Sequence, residues 1–175
     1  MGLPILELGC GGGRDSVVLA AAGHKVVGVD LSAKAIANAR QRAPSGEFHC
    51  QDLRAPFPVE RAGVVIASLS LHYFPWFETE ALSERIRKLL EPSGVLFCRL
   101  NSTNDHHFGA AGRPPIDDDY YLVEGGPKRF FDRPAIDHLF SSGWHRISTE
   151  ERTIDRYDLP KVVWEVVLEK TVGQS

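Results

Sequence analysis

Glu7-Leu8-Gly9-Cys10-Gly11-Gly12-Gly13-Arg14 is a glycine-rich turn set between the apolar run at residues 5–8 and a helical stretch at residues 14–22. Backbone approaches a ligand closely only where no Cβ intervenes, and a glycine turn that feeds a helix N-terminus also presents free amides. A bound polar cofactor follows. The dinucleotide fingerprint G-x-G-x-x-G would need its third glycine at position 14, which is Arg14. That spacing disfavours a nicotinamide oxidoreductase.

Outward from the turn, β-rich apolar runs alternate with helical patterns, which predicts an α/β domain with a mostly parallel sheet and helices on both faces. The strands are read at residues 5–8, 25–30, 47–51, 63–68 and 95–100, and the helices at 14–22, 33–42 and 79–90. Ser32 is placed to cap the second helix, and Glu91-Pro92-Ser93-Gly94 to stop the third. Residues 101–128 are polar, rich in Gly, Pro, Asp and His, and without a clean period. They read as a long loop, a feature that is usually functional or mobile in a compact domain. A helix at 133–141 and strands at 144–152 and 161–169 follow, the last alternating Val163, Glu165, Val167 and Glu169 as an antiparallel hairpin at a sheet edge would. Seven strands in all are expected.

A length of 175 residues predicts one domain spanning 1–175. Hydrophobic residues at 43% match a soluble globular chain, and a formal charge of −3 offers no electrostatic grip on nucleic acid. Cys10, Cys50 and Cys98 are an odd number without a CxxC pair, which argues against a disulfide scaffold and a zinc site. No signal-peptide pattern and no membrane-length apolar run is present, so a cytoplasmic, monomeric or homodimeric protein is expected.

The acidic residue followed by Gly9-Cys10-Gly11-Gly12-Gly13 resembles the first motif of class I S-adenosylmethionine (SAM) methyltransferases. Asp30, with Leu31 beside it, ends the second strand where that family's carboxylate accepts hydrogen bonds from the ribose hydroxyls. Asp52 and Leu53 follow the third strand at the family's adenine site. The segment from Ala67 through Ser68 to Phe74 is similar to the one flanking the methyl-transfer site, and Glu91 to Leu96 matches the turn into the fifth strand. The likeness covers residues 5–100 plus the terminal helix and hairpin. It implies the Rossmann-like methyltransferase fold, SAM as cofactor and S-adenosylhomocysteine as its product, with Glu7, Gly9, Cys10, Gly11, Gly13, Asp30, Leu31, Asp52, Leu53 and Ser68 at the cofactor. Two roles fit Glu7, a partner for the SAM amino group or a cap on the turn. Cys10 reads as a small filler whose backbone matters more than its sulfur.

Within that superfamily the chain looks most like compact bacterial small-molecule enzymes of the tellurite-resistance type. Such enzymes carry residues before the first strand that cover the cofactor, whereas here the strand comes almost at once. A segment such as residues 120–131, another subunit, an unusually open site or a start codon assigned too late would each account for that. The activated methyl of SAM leaves the protein to align a nucleophile and exclude water, so no nucleophilic triad is required. Where the acceptor carries a proton a base helps, and the candidates are His72 with Tyr73, more distantly His106 or His107. Tyr73, Phe74, Trp76 and Phe77 follow the fourth strand at the ligand-binding edge. Asn101 and Asn104 offer hydrogen bonds there, and Lys128-Arg129 offers positive charge to an anionic substrate. No metal site is expected, because adjacent Asp105, His106 and His107 diverge and lack a further ligand. The expected function is methyl transfer to a small, anionic or soft acceptor; the alternative is a SAM-binding sensor or partner subunit without catalysis.

Overall fold

The computed structural model describes residues 2–155 and 157–172. Strands and helices alternate as β1 (Ile5–Leu8), α1 (Arg14–Ala21), β2 (Val26–Asp30), α2 (Ala33–Arg42), β3 (Glu47–Cys50) and β4 (Ala62–Ser68). A 3-10 turn (Leu71–Tyr73) leads into α3 (Trp76–Leu89) and β5 (Leu90–Asn101). Three short strands follow, β6 (Pro115–Asp117), β7 (Tyr120–Val123) and β8 (Gly126–Arg129), then α4 (Arg133–Leu139), β9 (Trp144–Ile154) and β10 (Lys161–Lys170). The main sheet has seven strands in the order β3-β2-β1-β4-β5-β10-β9. The first five run parallel, and β10 and β9 add antiparallel.

This order places the functional edge. The chain moves outward through β2 and β3 on one side of β1 and through β4 and β5 on the other, so right-handed crossovers put α1 and α2 on one face and α3 on the opposite one. The order reverses between β1 and β4, and in open α/β sheets ligands bind at the carboxyl ends of the strands beside that reversal. The larger core lies under α3 and α4, where Leu82, Ile86, Ile136 and Leu139 meet Val65, Ala67, Leu96, Cys98, Leu100, Val166 and Leu168. A smaller cluster seats Ile36, Ala39 and Ala43 against Cys10 and Phe48. Ser32 caps α2 as its sequence predicts, accepting from the Ala35 amide at 3.2 Å. No helix among the described residues is long and apolar enough to cross a membrane.

The structure corrects the sequence reading in two places. Residues 101–128 are not structureless: β6, β7 and β8 form a separate antiparallel sheet, with β7 and β8 paired from Tyr120↔Arg129 to Val123↔Gly126. Strands this short carry too few residues for a period to show. The hairpin instead depends on Gly125 and Gly126 at its tip, which take φ values of 90° and 128° that only glycine adopts readily. Second, α3 starts at Trp76 rather than Thr79, because Pro75 stands at its N-cap, where a missing N–H costs nothing. At its far end Glu91-Pro92-Ser93-Gly94 makes a bulge inside β5, with the register jumping from Ala62↔Leu90 to Val64↔Val95.

Candidate functional site

The glycine turn is bent by packing as well as by ligand access. Gly9 has φ 74°, and a Cβ there would lie 2.7 Å from the Ser70 Cβ; at Gly13, with φ 76°, it would lie 2.8 Å from the Ala39 Cα. Gly11 differs: its φ is 54° but nothing lies within 4 Å of its Cβ position. Asp30 organises this turn, since its Oδ2 accepts from the Gly11 amide at 2.9 Å and its Oδ1 from the Ser32 amide at 2.9 Å. Glu7 is buried and accepts a hydrogen bond from the Ser16 hydroxyl of α1. Cys10 is buried, and burial first, then the charges of Glu7 and Asp30, pushes its thiol up to about 12. It stays a neutral filler.

Two spaces meet at Gly9. A polar pocket of about 230 Å³ is lined by Glu7, residues 9–12, Arg14, Asp15, Arg42 and Ser68. A larger cleft of about 730 Å³ runs from Gly9 past Asp30, Leu31, Asp52 and Leu53 to Ser70, Tyr73, Phe74 and Gly125. The cofactor candidates other than Gly13 thus line these two adjoining spaces; Gly125 belongs to the segment 120–131 offered as a cover and Ser70 to the segment after β4, whereas Arg14 and Arg42 were not among the candidates.

Sequence reasoning missed what holds the loop after β3. Asp52 accepts from the Arg54 amide at 2.8 Å and pairs with Arg54 Nη1 at 3.2 Å, while Arg54 Nε reaches Glu78 of α3 at 2.6 Å. From the same helix Arg85 donates to the carbonyls of Leu53, Arg54 and Ala55 at 2.9, 3.2 and 2.6 Å. Two arginines thus fasten the Asp52–Leu53 segment to α3. Nothing in a linear reading joins residues about thirty positions apart.

At the ends of β4 and β5 the candidates separate. The 3-10 turn winds His72 inward and Tyr73 outward: His72 is 3% exposed and Tyr73 44%. His72 does not border the cleft, so the expected base is a buried ring, lying 4.1 Å from that of Tyr73. Burial, then the charges of Lys161 and Lys128, lowers its pKa from 6.5 to about 3, leaving the imidazole neutral. Burial also raises the Tyr73 phenol above its ordinary value. Of the aromatic group Phe74 lines the cleft, Trp76 packs on Phe131 and His138, and Phe77 points to solvent.

Asn101 is buried and donates through Nδ2 to the Arg129 carbonyl at 3.4 Å. Asn104 turns to Glu151 instead, at 2.9 Å and 3.2 Å, and so does not join Asn101. Asp105 pairs with Lys161 at 3.2 Å while His106 and His107 are exposed, so that trio diverges. Arg129 is buried on β8, its guanidinium 4.8 Å from the Tyr120 ring and 5.5 Å from the Trp76 ring.

Comparison with known proteins agrees with this geometry. A model of the methyltransferase domain matches residues 5–94. The chain is 36% identical over 100 residues to a trans-aconitate 2-methyltransferase of Paracidovorax citrulli, covering 55% of this chain and 38% of that one. It is 32% identical over 98 residues to the enzyme of that name in Escherichia coli K12, with 55% and 38% covered. The chain thus spans well under half the length of these relatives. Their names give no counterpart to the tellurite-resistance likeness expected from the sequence. Among solved structures, a SAM-dependent methyltransferase of Methanosarcina mazei superposes with a TM-score of 0.84 at 18% identity, covering 98% of this chain and 94% of that one. A magnesium protoporphyrin IX methyltransferase of Synechocystis, solved with bound SAM, gives 0.70 at 20% identity over 97% and 71%. These likenesses show the fold. With the glycine turn, Asp30 and Asp52 on one cleft and the domain model matched over residues 5–94, the chain belongs to the class I SAM-dependent methyltransferase family.

Proposed function

We propose that this chain transfers the methyl group of SAM to a small anionic acceptor, in the first place a carboxylate. The observation that carries the reading is the continuity at Gly9 of the polar pocket and the larger cleft, which together bring Glu7, Asp30 and Asp52 to one groove ending beside Ser68 and Ser70. Its residues fit the cofactor: the open side of Gly11 leaves room where a side chain would intrude, and polar groups border one end and apolar ones the other. In this reading Glu7 and the turn amides hold the amino-acid end, Asp30 with Leu31 the ribose, and Asp52 with Leu53 the base.

Held by those residues, SAM would supply an activated methyl group for the acceptor's lone pair, with the carbon–sulfur electron pair kept by the sulfur of S-adenosylhomocysteine. The chain's part is alignment and exclusion of water. Tyr73 walls the groove, and His72, buried and neutral, does not line it. A carboxylate acceptor arrives as an anion and leaves as a neutral ester, so no proton has to be removed. That suits a groove that His72, the expected base, does not line. The trans-aconitate named in the relatives is a small polycarboxylate of this class.

The test is incubation with SAM and a panel of small carboxylates, trans-aconitate among them, followed by mass spectrometry. Formation of S-adenosylhomocysteine together with a methyl ester is expected. Binding of neither SAM nor S-adenosylhomocysteine in a calorimetric titration would overturn the reading.

A further inference from the structure

Among the described residues, the buried side-chain atoms without a hydrogen-bond partner include the hydroxyl oxygens of Ser68, the last residue of β4, and Ser70, just beyond it. Buried polar atoms are paired almost everywhere in folded proteins, so two orphaned hydroxyls at one strand end call for a ligand or water. Ser70 stands at the N-cap of the 3-10 turn, yet its hydroxyl makes no capping bond, so helix capping does not account for it. The residue between the two serines is strained. Leu69 has φ 58°, in the left-handed region that a bulky side chain seldom enters, and its amide is pinned to the Arg99 carbonyl of β5 at 2.9 Å. The kink divides the serines between two spaces: Ser68 borders the polar pocket, whereas Leu69 and Ser70 border the larger cleft.

Gly9 lines both spaces. Ser70 packs on it so closely that a Cβ at Gly9 would lie 2.7 Å from the Ser70 Cβ and 3.5 Å from its Oγ. In the methyl-transfer reading the amino-acid end of SAM occupies the polar pocket, and the ribose and base occupy the cleft. Sulfur is the atom that joins those two parts, so that reading brings the sulfur to Gly9 and to the serine packed on it. SAM carries a positive charge on this atom and S-adenosylhomocysteine carries none. A hydroxyl without a partner has both lone pairs free, and turning them toward a positive charge is favourable where water is excluded, as it is around Ser70, 4% exposed. Asp30 and Asp52 also border the cleft and attract the same charge, but they do so whether or not Ser70 keeps its hydroxyl.

We propose that Ser70 reads the charge on the cofactor's sulfur, its hydroxyl oxygen facing the sulfonium and shifting the preference of the chain from S-adenosylhomocysteine toward SAM. The inference rests on the methyl-transfer reading and adds a residue that separates cofactor from product. Its effect has a direction: the attraction holds the charged cofactor and disappears with the charge, which favours release of the product.

The experiment titrates the full chain by calorimetry with SAM, with S-adenosylhomocysteine, and with sinefungin, a SAM analogue that carries a protonated amine on carbon in place of the methylated sulfur. S70A should bind SAM about fivefold more weakly, and sinefungin at least as much more weakly, with unchanged affinity for S-adenosylhomocysteine. S70C keeps the volume but offers a weakly accepting sulfur, and it should behave as S70A does. Equal losses for the charged and the neutral ligands, or no loss for any, overturn the role of Ser70 and leave methyl transfer standing. A loss confined to SAM, with sinefungin bound as by wild type, overturns it as well, because it would trace to the shape of the methyl group and not to the charge. Failure of the wild type to bind SAM and S-adenosylhomocysteine overturns both readings. If S70A does not fold, S70C is read in its place.

Discussion

The Tyr120 hydroxyl donates to the backbone carbonyl of Tyr73 across 3.0 Å, and this bond ties the small β6–β8 sheet to the rim of the larger cleft. Tyr120 is 5% exposed, so its ring is a buried support and its hydroxyl the link. Tyr120→Phe keeps the ring and removes the link. A net loss of about 1 kcal/mol is expected, the usual worth of one neutral hydrogen bond, read as a lower urea midpoint at unchanged slope. An unchanged midpoint would show that the link carries no stability.

Asp30 joins the glycine turn to the start of α2 through the Gly11 and Ser32 amides. Asp30→Ala removes an ionised acceptor from both and from the proposed ribose contacts. Affinity for S-adenosylhomocysteine should drop by roughly 1.5 to 3 kcal/mol, the range for hydrogen bonds to a charged group, measured by titration calorimetry. Equal affinity would contradict the ribose assignment.

Gly11 and Gly13 should respond differently to alanine. At Gly13 the new Cβ would press on the Ala39 backbone, so Gly13→Ala should destabilise the whole domain. At Gly11 there is open space, and the cost is the left-handed backbone alone, about 1 to 2 kcal/mol. Gly11→Ala should therefore stay folded by circular dichroism while losing cofactor affinity. A Gly11→Ala protein that binds normally would place the cofactor elsewhere.

His72 makes stability depend on pH. Its pKa is 6.5 in an unfolded chain and about 3 in the fold, so between these values the unfolded state holds the extra proton. Stability contributed by the neutral ring is fully present above pH 6.5 and falls as the pH drops through the window toward 3. The slope approaches about 1.4 kcal/mol per pH unit for this one group. Denaturation of wild type and His72→Gln at pH 7 and pH 5 should show the shallower loss in the variant; parallel losses would argue against a buried neutral histidine.

Arg85→Ala frees the three carbonyls of the Asp52–Leu53 loop from α3. Weaker S-adenosylhomocysteine binding, by on the order of tenfold for 1.4 kcal/mol, is expected. S-inosylhomocysteine, which lacks the exocyclic amine, should lose less. Equal losses for both would mean that Arg85 acts on the fold in general and not on the base site.

The glycine turn, Asp30 and Asp52 were legible because each follows a strand whose apolar run is local, and the strand end sets where the next side chain stands. Ser32 was legible for the same reason, since a cap is a relation between neighbours three residues apart. The β6–β8 sheet was not, because strands of three and four residues are shorter than any period that could announce them. His72 was misjudged as a presented base because the sequence places it at the right edge, whereas the turn that follows β4 decides which of His72 and Tyr73 faces outward.

The sequence by itself determined the fold family and the succession of strands and helices along the chain, since these rest on short-range patterns of apolar residues, glycines and turn formers. Only the tertiary structure decided the sheet order and what gathers beside the larger cleft. There Arg129 comes from β8, Asn101 from β5 and Tyr73 from the turn after β4. Their convergence depends on the closure of a hairpin onto a sheet, a long-range contact that no local pattern encodes.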